Sequence, residues 1–171
     1  MYKINISSRT LHFLRPAGTS RGIYTTRKSY YVTLSDTNQP DVVGIGECAT
    51  LPDLSCDAMT DEEYEQKLRS FCNDFCHTGV IDIDAMRPYP SMLFGLETAK
   101  AQLDAKGSIN FFNTAFGRGE EGITINGLVW MGTFDEMYQR LETKLKAGFR
   151  CVKLKIGAID FEKELDLIRH I

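Results

Sequence analysis

Two lysines separated by one residue, Lys153 and Lys155, are the strongest chemical signal in this chain. They lie in Cys151-Val152-Lys153-Leu154-Lys155-Ile156, which alternates strictly between apolar residues and the rest. Side chains on a strand point to opposite faces with period two. Val152, Leu154 and Ile156 would therefore share one face, and Cys151, Lys153 and Lys155 the other. Two ammonium groups held in one concave site repel, so at least one should hold its proton less tightly than an isolated lysine. A neutral amine at working pH can take a proton from carbon and return it. The plain alternative is a solvated face of an antiparallel sheet, and the surrounding elements must decide between the two.

Those elements alternate. Residues 123–130 read as a strand ending at Trp130. Thr133-Phe134-Asp135-Glu136 is a capping box. Met137, Leu141 and Leu145 then repeat every four residues, as on one helix face, up to Gly148. The lysine strand follows over residues 150–156. Gly157 breaks it, and Asp160 can cap a helix bearing Phe161, Leu165 and Ile168. Such β-α-β-α order argues for parallel strands with covering helices. In a barrel of this kind the outer strand face is apolar and covered by helices, so the lysines would turn inward. They would sit near the carboxyl end of the strand, where barrel active sites lie. Trp130 would line that pocket or pack in the core. Asn126-Gly127 looks locally like a hairpin turn, but in this setting it reads as part of the first barrel strand. Asp160, Glu162, Glu164 and Asp166 read as the solvated face of the last helix. The chain stops at Ile171 within that helix, so the sequence predicts that the natural protein continues.

The first part has a different grammar. Residues 2–6 and 11–14 are β-prone, Arg15 to Gly22 reads as a loop broken by Pro16, Gly18 and Gly22, and residues 29–34 and 42–48 read as two further strands. The turn between the last two is short enough for an antiparallel hairpin. Thr60-Asp61-Glu62-Glu63 is a second capping box, followed by Tyr64, Leu68, Phe71, Cys72 and Phe75 on one helical face. Cys72 and Cys76 read as small core fillers. A second helix over about residues 91–106 carries Met92, Leu96, Ala99 and Leu103, with Gly107 as its C-cap. The predicted organisation is an α+β domain of antiparallel sheet plus helices over residues 1–121. A linker near 117–122 follows, and then the first two βα units of a TIM-type (β/α) barrel, truncated, over 122–171.

Composition excludes several classes. Apolar residues at 43% and charged residues at 25% are those of an ordinary globular protein. A net charge of -3 argues against nucleic acid or an anionic membrane as partner. No apolar run approaches the ~20 residues of a membrane span, and the amino-terminal residues show no secretory signal. The five cysteines, Cys48, Cys56, Cys72, Cys76 and Cys151, form no CxxC pair, which suits reduced thiols in a cytoplasm. His12, His77 and His170 are scattered and match no metal-ligand spacing.

The stretch Val152-Lys153-Leu154-Lys155-Ile156-Gly157 resembles the lysine strand of the enolase superfamily, in its muconate cycloisomerase-like branch. Pro16-Ala17-Gly18-Thr19-Ser20-Arg21-Gly22 resembles the first loop of that family's capping domain. Gly44-Ile45-Gly46-Glu47-Cys48, continuing to Ser55, resembles its glycine-rich strand and second loop, and Gly95-Leu96-Glu97-Thr98-Ala99 its last cap helix. Within the branch these stretches are most similar to o-succinylbenzoate synthases. The resemblance implies an α+β cap on a modified TIM barrel. It also implies a carbon–oxygen lyase of menaquinone biosynthesis, which abstracts the proton alpha to a carboxylate and completes a syn dehydration of a succinyl-hydroxycyclohexadiene carboxylate. Lys155 would be the base, with Lys153 beside it weakening its hold on the proton and contacting the carboxylate. As for the loops themselves, Thr19, Ser20 and Arg21 read either as a glycine-flanked lid over the substrate, with Arg21 pairing with a carboxylate, or as a surface turn, and Leu51 and Leu54 read either as an apolar wall of the site or as ordinary cap packing. Glu47 reads as a structural hydrogen-bonding group. Mg2+ is implied as cofactor, with its carboxylate ligands on later barrel strands beyond Ile171, so this segment alone should be inactive. The partner expected is a small-molecule carboxylate, and a homo-oligomer is compatible with the sequence. A racemase, epimerase or cycloisomerase of the same superfamily, or a non-catalytic fragment, are the competing readings.

Overall fold

Alternation dictates the first sheet. Tyr30, Val32 and Leu34 are buried at every second position, so one face of their strand must meet a core. The computed structural model describes residues 1–19, 22–51, 54–110, 112–157 and 159–170. It has two compact units, one formed by Met1–Phe13 and Thr26–Glu121 and the other by Leu14–Thr25 and Gly122–Ile171. The sequence reading assigns residues 14–25 to the first unit, whereas their contacts group them with the second.

β1 (Tyr2–Thr19), β2 (Gly22–Asp36) and β3 (Gln39–Ala49) form a sheet in that order. β2 and β3 are antiparallel, in a register running from Ser29↔Ala49 to Leu34↔Gly44, with an irregularity between Ser35 and Asp36 beside the tight turn. The loop expected from Arg15 to Gly22 is instead largely strand, since β1 reaches Thr19 and β2 begins at Gly22. Pro16 and the glycines weaken local strand preference, but sheet pairing overrides a preference of this size.

α1 (Asp61–Thr78) starts at the Thr60–Glu63 capping box and ends at left-handed Gly79. Tyr64, Leu68, Cys72 and Phe75 form its buried face. A short α2 (Ile83–Met86), which periodicity could not signal, inserts Met86 into the core. α3 (Pro90–Asp104) buries Met92, Leu96, Ala99 and Leu103, the expected stripe. α3 lies unusually close to β3. A Cβ on Gly46 would collide with the Gly95 backbone, one on Gly44 with the carbonyl of Ala99, and one on Gly95 with Cys48 Sγ. The glycines of the Gly-x-Gly-Glu stretch thus serve backbone approach between helix and strand.

The second unit contains β4 (Gly127–Val129), α4 (Phe134–Lys146), β5 (Val152–Leu154) and α5 (Phe161–Arg169). β4 and β5 are parallel. Both are shorter than the sequence suggests: Ile123 and Ile125 stand exposed before β4, and Ile156 after β5. Val129, Met137, Leu141 and Leu167 form the core of this unit, with Val152 and Leu154 packed against it. Two expectations for α5 are corrected. Phe161 and Ile168 are exposed and Leu165 is half-buried, while Leu167 and Glu164 face inward. Glu164 is therefore not on the solvated face: its Oε1 accepts from the Gly157 amide at 2.5 Å. This bond satisfies a backbone donor freed where the strand ends, which offsets the cost of burying the carboxylate. No helix among the described residues is long and apolar enough to cross a membrane.

Candidate active site

The lysine strand is held by its neighbour. Parallel pairing sets Gly127 against Val152, Leu128 against Lys153 and Val129 against Leu154. The Gly127 amide donates to the Cys151 carbonyl at 2.9 Å, and the Lys155 amide to the Val129 carbonyl at 3.1 Å. Lys155 follows directly on Leu154, the last residue of β5, at the carboxyl end of both strands. Val152 and Leu154 turn toward the helices. Lys153 is exposed, while Lys155 is half-buried, with its Nζ 5.7 Å from the centre of the Trp130 ring. That separation lies within the ~6 Å reach of a cation–π attraction.

Trp130 is the first residue beyond β4 and stays outside the core, 36% exposed. The loop that carries it is tied down from α4. Arg140 Nη1 donates to the carbonyls of both Trp130 and Met131, each at 3.0 Å. Glu136 completes the capping box with Thr133 and lies 3.7 Å from Arg140 Nη2. Gly132 leaves the space these two side chains occupy, because a Cβ there would press on both. Sequence reasoning passes over Arg140, since an arginine four residues after a glutamate on a helix reads as a surface ion pair.

Of the expected substrate-contacting residues, Thr19 lies in the second unit. Its Oγ1 donates to the Gly22 carbonyl at 3.0 Å, tying the end of β1 to the start of β2. With Arg15, Pro16, Met131, Gly132 and Arg140 it lines a cavity of about 640 Å³. Ser20 and Arg21 lie outside the described residues. Leu51 and Leu54 belong to the first unit. There the Leu54 and Ser55 amides both donate to the Leu51 carbonyl, and the Leu51 amide to Ser55 Oγ. Leu54 lines a cavity of about 590 Å³ with Arg27, Glu47, Asp57 and Phe94. Glu47 accepts from the buried Ser29 hydroxyl at 2.6 Å, a structural bond. Asp57, unmarked in the sequence, is buried and caps α3 from outside, accepting from the Ser91 amide at 2.7 Å and the Ser91 hydroxyl at 2.5 Å.

Among the described residues no three His, Cys, Asp or Glu side chains converge as a metal ion would require. Glu164, a buried carboxylate near the lysine strand, is engaged by Gly157. The residues described here therefore do not make a magnesium centre.

No protein-family model matches the chain. An o-succinylbenzoate synthase of Desulfotalea psychrophila is 35% identical over 190 aligned residues, covering 94% of this chain and 51% of that protein. The crystal structure of MenC from the same organism superposes with a TM-score of 0.69 at 27% identity, over 98% of this chain and 52% of that one. A dipeptide epimerase from Cytophaga hutchinsonii, solved with magnesium and D-Ala-L-Val, shares the fold at a TM-score of 0.71. Its identity is 18%, over 97% of this chain and 46% of its own. The chain spans about half the length of the curated relative it matches. In sequence and in fold, it is like the capping-domain half of an enolase-superfamily o-succinylbenzoate synthase, with an antiparallel three-stranded sheet and helices leading into the first βα units of the barrel.

Proposed function

We propose that the whole protein is a lyase of the o-succinylbenzoate synthase type, acting in menaquinone biosynthesis. Its Lys155 takes the proton alpha to the carboxylate of a succinyl-hydroxycyclohexadiene carboxylate. The electron pair left on carbon forms the new ring double bond as the hydroxyl departs, and the Lys155 ammonium returns the proton to that hydroxyl as water. One lysine on one face of the ring can do both, which makes the elimination syn. The observation that carries this reading is the position of Lys155, half-buried at the carboxyl end of a parallel strand pair. The 35% identity to a synthase along nearly the whole chain supports it.

Lys153 supplies a second positive charge on the same strand, which attracts the substrate carboxylate. Thr19, Ser20, Arg21, Leu51 and Leu54 are the residues this reading assigns to substrate contact. Magnesium, bound in the Cytophaga enzyme, enters this reading as a requirement of the whole enzyme. Its ligands fall outside the described residues, and no step here is routed through it. The five free thiols suit a reducing cytoplasm.

The test uses the full-length enzyme with the cyclohexadiene acid and, separately, with dipeptides. Dehydration should occur, with Lys155→Ala slowing both it and alpha-proton exchange with D2O by about 10²–10⁴-fold. Epimerisation of a dipeptide without dehydration would overturn the lyase reading, and wild-type exchange in Lys155→Ala would overturn the assignment of the base.

A further inference from the structure

The Trp130 ring beneath Lys155 and the Arg140 clamp on the loop bearing it together form one device. We propose that Trp130 and Arg140 are positioning residues for the base: the indole face holds the Lys155 ammonium in place, and Arg140 fixes the loop that sets the indole. This rests on the reading of Lys155 given above.

The geometry supports each link. Lys155 is tethered at its backbone, through its amide to Val129, so only its four-carbon side chain is free to wander. A flexible lysine loses rate unless its amine is held within reach of the carbon acid. The Trp130 face, 5.7 Å from Nζ, is what holds it. The other charged and titratable groups on the surrounding elements are exposed or engaged with other partners. Lys153 and Cys151 of the same strand are exposed. On α4, Glu136 serves Thr133, and Arg140 serves the carbonyls of Trp130 and Met131. On α5, Glu164 serves Gly157. β4 itself, Gly127-Leu128-Val129, brings no titratable side chain.

Arg140 is placed to do more than decorate α4. Two successive carbonyls at a strand exit have left the sheet and need donors. One guanidinium nitrogen serves both, which fixes the peptide plane between Trp130 and Met131 and thereby the direction of the indole.

The experiment compares Trp130→Leu, Trp130→Phe, Arg140→Gln and Arg140→Lys with the wild type in the full-length enzyme. Lys155→Ala serves as control, and circular dichroism confirms folding. Two quantities are read: kcat and KM of turnover, and the rate of acetylation of the Lys155 amine at one pH by competitive labelling and mass spectrometry. Trp130→Leu should lower kcat about tenfold with KM changed less than twofold. It should also raise the acetylation rate of the Lys155 amine about threefold, because the amine is no longer held against the ring. Trp130→Phe should retain most of both properties, because it keeps an aromatic face. Arg140→Gln should reproduce the Trp130→Leu defect more weakly, and Arg140→Lys should recover part of it. A kcat and a labelling rate in Trp130→Leu equal to those of the wild type would overturn the inference, even if Lys155→Ala remains inactive. Full turnover in Lys155→Ala would instead overturn the reading of the base, and the labelling rates would still decide whether Trp130 holds the amine.

Discussion

Adding one methyl group to Gly46 should destabilise the first unit more than deleting most of its surface contacts. The new Cβ would fall well inside contact distance of the carbonyl oxygen, carbonyl carbon and Cα of Gly95. All three are backbone atoms of α3, so no rotamer change can relieve the clash, and the helix must move bodily off the sheet. Forced overpacking of a tight core costs about 1–3 kcal/mol, and a backbone-on-backbone collision belongs at the upper end, about 3 kcal/mol. For a domain of this size that is a fall in Tm of roughly 10–20 °C. Gly95→Ala tests the same contact from the helix side with a different outcome. Its Cβ would meet the Cys48 thiol chiefly, a side-chain atom that can be removed. In a free helix interior this change would gain ~1 kcal/mol. Here it should cost about 1–3 kcal/mol, and in a Cys48→Ala background most of that cost should vanish. Thermal and urea unfolding of the four-member cycle should give a coupling of at least ~1 kcal/mol. A Gly46→Ala protein as stable as the wild type, or a Gly95→Ala cost unchanged without the thiol, would refute the close-packing account.

Two further perturbations probe groups buried in the same unit. Asp57→Ala removes the acceptor for the Ser91 amide and hydroxyl, and Tyr64 shares the same hydroxyl. Urea denaturation should show a loss of about 3 kcal/mol, the upper range for hydrogen bonds to a charged group. The thiols should divide by burial: in native protein at pH 8, Cys56 and Cys151 should alkylate quickly, while Cys48 and Cys72 should resist until unfolding. Burial pushes both of the latter from the ordinary 9.0 up to about 12. Their raised folded values mean that the unfolded chain loses its protons first. Stability should therefore be full below about pH 9 and fall progressively toward pH 12. A stability profile flat across that window in the wild type would contradict the burial of the two thiols.

Much of the fold could be read from residue order because several signals agreed at each place. The capping boxes at Thr60 and Thr133 opened their helices where expected, and the stripe from Met92 to Leu103 faced the core. Elsewhere local rules met a tertiary contact and lost. Residues 15–19 looked like a loop until a partner strand supplied pairing that Pro16 and Gly18 could not signal. The Phe161, Leu165 and Ile168 stripe predicted the wrong inner face for α5, because the Gly157 amide required an acceptor and Glu164 was within reach. The lysine pair stood out as chemistry, since alternating charge on a parallel strand has few structural uses. The groups around it did not stand out. Arg140 acts on carbonyls nine and ten residues earlier, and Asp57 caps a helix that starts 33 residues later. Contacts of that span leave no periodic trace in a sequence.

The side chain of Gln102 has a consequence for how this molecule behaves in a crowd. Its Oε1 accepts from the backbone amide of Ile45 at 2.8 Å, on β3, a border strand of the sheet, and its Nε2 donates to the Gly107 carbonyl at 3.1 Å. The second bond orients the carboxamide, so that oxygen rather than nitrogen meets the strand. A border strand normally offers its amides to any extended chain that drifts past. Here the donor in the middle of that border is already engaged by the helix lying on it. The carboxamide acts as a stopper, and foreign strands meet an occupied position at Ile45.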